Sequence, residues 1–200
     1  MKEKTIFLLG TFHSFKKYKE KVRKVTKENN FSGFFSEGVD SKKLITKNNL
    51  TKEPFLILPI YSFLKILQSR GTEFDELQKI SLKRKISIYG LDENIKSILD
   101  RFHKQYNYFI YAFIFFLMLI IVDIGQSIIN LVFSFVFSSI LYFGYFIIIT
   151  SKIRERIWIK RIVRISKYKR KGNFLLVAGK FHINRVKKEL IKRGFSVEVA

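Results

Sequence analysis

Residues 173–200 read NFLLVAGKFHINRVKKELIKRGFSVEVA. The run 173–179 is almost continuously apolar, the pattern of a strand covered on both faces. A helix follows over 182–193, closed by Gly194, and FSVEVA (195–200) forms another strand. Strand, helix and strand in so short a stretch leave room for a parallel pairing with a helical crossover. The same alternation recurs upstream. TIFLLG (5–10), FSGFFSEG (31–38) and KISIYGLD (85–92) read as strands. Helices are expected over 14–29, 54–69, 72–83 and 93–105. The fold class is therefore α/β, a mostly parallel sheet with flanking helices.

One stretch does not belong to such a sheet. YNYFIYAFIFFLMLIIV (106–122) contains no charged residue, and after the polar turn Asp123-Ile124-Gly125-Gln126-Ser127 a second uncharged run covers 128–149. The first spans roughly 25 Å as a helix and is anchored by Tyr106 and Tyr108, and the second reaches roughly 30 Å. Asn130, Ser134, Ser138, Ser139 and Gly144 suit close helix contact in lipid. A two-helix transmembrane hairpin interrupting the α/β domain is the reading. Residues 151–171 then carry ten Lys or Arg and one acid, whereas the turn carries no cation. The positive-inside rule places the turn outside and both termini in the cytoplasm of an integral membrane protein.

The bulk composition agrees. The chain has 200 residues, 22 of them Phe, and a formal net charge of +22. Apolar residues in the bilayer with cations beside it explain both extremes. Nucleic acid is a weaker explanation for the charge, because no nucleic-acid motif accompanies it. There is no cysteine, which excludes disulfides and thiolate metal sites. The short apolar run 6–9 is too brief for a signal peptide. Three segments result: a discontinuous cytoplasmic domain (1–103 and 172–200), the hairpin (104–151), and a basic juxtamembrane helix (152–171) with its cations toward anionic lipid.

Two passages match: FLLGTFHS (7–14) and LLVAGKFHI (175–183). Each is an apolar strand followed by Gly-x-Phe-His, and they hold two of the three histidines. Ligands of open parallel sheets bind beyond the strands' carboxyl ends, where His13 and His182 belong. Gly10 and Gly179 are expected to let the chain turn sharply there. Glu37 and Asp92 end the second and third strands. Two imidazoles and two carboxylates suit a divalent metal such as Mn, Fe, Co or Zn with a bound water. Glu37 serves alternatively as general base, and Asp92 doubles as a helix N-cap. His103, flanked by cations, reads as an interfacial residue.

In order and spacing, Gly10-Thr11-Phe12-His13, Ser36-Glu37-Gly38, Tyr89-Gly90-Leu91-Asp92 and Gly179-Lys180-Phe181-His182, with the closing INRVKKELIKRGFSVEV, resemble the TraB/PrgY/GumN/TIKI superfamily. The resemblance implies metal-dependent hydrolase chemistry, peptidase-like, with His13, His182, Glu37 and Asp92 at the metal. Where that family often carries an Arg soon after the Glu, this chain has Lys42 and Lys43. Three functions follow. The first is a membrane-anchored metal-dependent hydrolase acting on a peptide at the cytoplasmic face. The second is a peptide- or metal-binding regulatory protein that has lost the chemistry. The third is a transport subunit, which requires a homo-oligomer because two helices cannot enclose a pore.

Overall fold

The computed structural model describes residues 4–12, 17–39, 72–93, 97–98, 101–102, 114, 118, 128–168 and 172–200. Among these are five strands: β1 (Thr5–Thr11), β2 (Phe31–Val39), β3 (Ile88–Asp92), β4 (Asn173–Gly179) and β5 (Ser196–Val199). Four helices accompany them: α1 (Lys17–Glu28), α2 (Thr72–Arg84), α3 (Ile128–Tyr168) and α4 (Lys180–Ile191). All strands are parallel, in the order β3-β2-β4-β1-β5. The chain divides into two compact units, one of residues 1–94 with 154–200 and one of residues 95–153.

Side-chain alternation builds two cores in the first unit. Ile6, Leu8, Phe35, Leu91, Phe174, Leu176 and Ala178 face Trp158 and Ile162 of α3 and Ile183, Val186 and Leu190 of α4. On the other face Phe7, Leu9, Phe34, Leu175 and Val177 meet Val22 and Val25 of α1 and Leu77 of α2. The helical residues recur at three- and four-residue steps, as one-sided burial demands. The steps β1 to β2 and β2 to β3 move one way across the sheet with α1 and α2 on one face. The steps β3 to β4 and β4 to β5 move the other way with α3 and α4 on the opposite face. All four crossovers thus share one hand, as the rule for parallel crossovers requires. The chain leaves neighbouring β1 and β4 toward opposite faces, so the switch point of the sheet lies between their carboxyl ends.

The basic segment 152–171 continues the helix of the second uncharged run, as far as Tyr168, and its inner face has a role that the reading of its cations did not include. From Arg154 to Tyr168 it is part of α3 and belongs to the sheet unit. Trp158 and Ile162 are fully buried in the core, and Arg154 and Glu155 are buried as well. Alternation of cations with apolar residues here marks a core helix with a wet outer face. Gly10 also plays a different part: it lies inside β1, where a Cβ would come within 3.2 Å of the Lys180 Cα and 3.1 Å of the Ile183 Cγ1. The glycine lets α4 start close against the sheet. The expected helix 54–69, the run 106–122 except Ile114 and Met118, the turn 123–127, Lys42, Lys43, His13 and His103 lie outside the described residues.

In the second unit the rings of Phe102 and Phe146 meet edge to face at 4.8 Å between centroids. Over the described residues, no helix is long and apolar enough to cross a membrane. Most side chains of 128–143 fall outside that description, although α3 itself is continuous there for 41 residues.

Helices α1 and α2 are joined by a two-pronged ion pair. Arg23 donates from Nε to Glu76 Oε1 (2.7 Å) and from Nη2 to Oε2 (3.0 Å). The Glu76 side chain is 8% exposed and that of Arg23 55%. Hydrogen bonding to Arg23 holds the Glu76 carboxyl below its ordinary value against the opposing effect of burial. A lowered carboxyl gives stability that is present above the unfolded value, about 4.3, and is lost as pH falls through the folded one. Arg23→Gln should therefore lower the thermal midpoint at pH 7. The gap to the wild type should close as pH drops below 4, and a gap independent of pH would show that the pair does not stabilise the fold.

Candidate functional site at the carboxyl ends of the strands

Glu37 stands at the end of β2, where the register against β3 shifts between Ser36 and Val39. Such irregularities re-aim side chains beside sites. Its Oε2 accepts the Gly179 backbone N–H at 2.6 Å, so β2 holds the point where β4 passes into α4. Its Oε1 accepts from Arg154 Nη2, also at 2.6 Å. Asp92, at the end of β3, receives Arg154 Nε on Oδ1 (3.0 Å) and Nη2 on Oδ2 (2.7 Å). Trp158 Nε1 donates to the same Oδ1, and Arg161 Nη1 donates to the carbonyls of Gly90 (3.1 Å) and Asp92 (2.9 Å). Positions 154, 158 and 161 share one face of α3, so a single helical stripe closes the end of β3.

Arg154 is the hub of this arrangement. Burial alone would pull its guanidinium down. Attraction to Asp92 and Glu37, with hydrogen bonds to both, outweighs burial and holds it above its ordinary value. It also lies 5.0 Å from the centre of the Trp158 ring. A buried cation between two carboxylates is stabilising only as a complete set, because removing one member strands the others.

His182 occupies the first turn of α4, with its side chain 12% exposed. Its Nδ1 lies 2.8 Å from Glu155 Oε1. A carboxylate only accepts, so Nδ1 carries the hydrogen. Arg185 Nη1 holds the other oxygen of Glu155 at 2.9 Å, and the Trp158 ring meets the imidazole edge to face at 5.0 Å. Nε2 is 4.0 Å from Glu37 Oε1, beyond hydrogen-bond reach.

Of the four expected ligands, then, Glu37, Asp92 and His182 converge on one sheet edge, and His13 lies outside the described residues. Register pairs Thr11 with Gly179, which puts the two Gly-x-Phe-His passages beside each other at least as far as β1 is described. Two features bear on the expected metal site. Arg154 lies between the two carboxylates and donates to both, and among the described residues no three His, Asp or Glu side chains are grouped to hold an ion. Glu37, engaged on both oxygens, is a poor general base. Sequence reasoning missed Arg154, Glu155 and Trp158. Their signals were the only acid of the 151–171 segment and the only tryptophan of the chain. No family model, curated protein or solved structure matches the chain.

Arg154→Met should destabilise the sheet unit by about 3–5 kcal/mol, because two carboxylates lose their shared partner. Arg154→Lys should recover little of this, since an ammonium cannot reproduce the fork. Urea unfolding measures both, and a loss below about 1 kcal/mol for Arg154→Met would contradict the clamp.

Proposed function

We propose that the chain is a membrane-anchored, TraB-like hydrolase whose site is the carboxyl edge of the sheet and whose proton-transfer group is His182. The observation that supports it is the Glu155–His182 pair. A carboxylate on Nδ1 fixes the tautomer and steadies the imidazolium that forms on protonation, leaving Nε2 as the base. Nε2 takes a proton from a water as the oxygen adds to a carbonyl carbon. The imidazolium then returns that proton to the leaving amine or alcohol as the scissile bond breaks. A peptide lying on or in the membrane is the substrate class that makes sense of the anchor.

The anchor is the hairpin of runs 106–122 and 128–149, neither of which contains a charge. On α3, Phe137, Ile140, Leu141 and Ile148 are all exposed in the isolated chain, an apolar surface that suits hydrocarbon. Further along the same helix, Arg156, Lys160 and Arg164 are exposed at four-residue spacing, a stripe that suits anionic lipid on the cytoplasmic side.

The Arg154 clamp favours a second reading. With both carboxylates engaged, the site suits a peptide-binding regulatory protein that does not turn over its ligand.

Hydrolysis of peptide and ester panels by the full chain in detergent, with and without added Mn, Fe, Co or Zn, separates these readings. On the first, His182→Ala lowers the rate by about 100-fold or more, and Glu155→Gln by about 10- to 100-fold, at a temperature where both variants remain folded. Absence of turnover by the wild type under every metal condition would leave the regulatory reading. Stoichiometric metal in the purified protein, lost in His182→Ala, would support the metal site.

Topology has its own test, made simple by the absence of cysteine. In sealed right-side-out vesicles an impermeant maleimide should label Ser127→Cys and spare Lys188→Cys. The reverse pattern would invert the protein, and labelling of both would remove the hairpin.

A further inference from the structure

The opposite edge of the sheet carries a second feature. Helix α1 ends at Glu28 just before β2 begins, and α2 ends at Arg84 just before β3 begins. Their last turns therefore lie at the amino ends of the strands, away from Glu37 and His182. Between them is a cavity of about 310 Å³ lined by Arg23, Thr26, Lys27, Glu76, Lys79, Ile80, Lys83 and Arg84. Five cationic residues and one carboxylate line it, the lysines largely through their aliphatic stems.

Ordinary helix electrostatics explains only part of this set. Cations in the last turn complement the negative end of a helix, which accounts for Lys27, Lys83 and Arg84. Arg23 and Lys79 sit a turn further back. They complete two like-charged pairs at four-residue spacing, Arg23 with Lys27 on α1 and Lys79 with Lys83 on α2. Such pairs work against their helices, and here both line the same cavity. The carboxylate does not neutralise the set, because Glu76 is already gripped by the fork of Arg23. Arg84 is held in place by donating from Nη1 to the Thr26 carbonyl at 2.7 Å. Lys27, Lys79 and Lys83 have no ion-pair partner among the described residues. Two of the cations are thus positioned by fixed bonds, three are available, and the side chain of Ile80 joins the lining.

We propose that this cavity binds a multiply charged phosphate group. The shared chemistry is a phosphate monoester or pyrophosphate dianion, from a soluble molecule or from a lipid headgroup. Neighbouring ammonium groups on two helices meet its oxygens, and the anion relieves the repulsion within both pairs.

The test uses the full chain in uncharged detergent with inorganic pyrophosphate as probe. Pyrophosphate should raise the thermal midpoint of the wild type in a saturable way. In the Lys79→Glu/Lys83→Glu variant the apparent Kd should weaken at least tenfold. A control with the same change of charge on the other face, Lys188→Glu/Arg193→Glu, should keep the wild-type affinity. No saturable response in the wild type, or equal weakening in both double variants, would overturn the proposal, since the second result is what diffuse charge alone predicts.

Reconstitution in neutral lipid nanodiscs with and without phosphatidic acid then identifies the source. Loss of the pyrophosphate response when phosphatidic acid is present, with the lipid effect abolished in Lys79→Glu/Lys83→Glu, supports a headgroup. A retained response supports a soluble phosphate. His182→Ala should respond as the wild type does, so hydrolysis at the carboxyl edge and anion binding at the amino edge stand or fall separately.

Discussion

The guanidinium of Arg154 holds the sheet unit together where two strands end in carboxylates. It joins the carboxylate ending β2 to the carboxylate ending β3, and it reaches both from α3. Without it, Glu37 and Asp92 would be two anions in a nearly dry setting. With it, Glu37 keeps an oxygen for the Gly179 N–H, which fixes the start of α4 and so the position of His182. The imidazole owes its place to this chain of bonds as much as to its own partner Glu155.

The strands were legible because a parallel sheet covered on both faces imposes apolar runs. FLLG, GFF and FLLVA leave little room for another structure, and the matched Gly-x-Phe-His passages fall on two neighbouring parallel strands. What escaped was the character of 152–168. In sequence, Arg154 and Glu155 look no different from exposed Arg156 and Lys160, because a buried ion cluster and a wetted cationic face use the same letters. Burial of a charge depends on partners, and the partners of Arg154 lie 62 and 117 residues away in the chain. Spacing within a segment cannot carry that information. The role of Gly10 was misread for a similar reason: the demand for a missing Cβ came from α4, not from the turn of its own strand.

The two edges of the sheet divide the chemistry. At the carboxyl edge charges are matched nearly one for one and kept from water, which gives positional precision. At the amino edge the cations outnumber their counterions and remain wet. Separation of this kind is natural to an α/β layer, because each crossover delivers loop residues to both ends of the strands while the core between them is inert.

Strand order also governs how the protein is made. β4 lies between β1 and β2, yet it is translated after both of them and after the whole uncharged stretch. Until residues 173–179 leave the ribosome, β1 and β2 each expose an unpaired edge of apolar sequence, a state prone to wrong pairing. The long uncharged runs emerge during that interval. Closure of the sheet therefore waits for the last third of the chain, and the sheet unit is completed late, by entry of its central strand into a waiting gap.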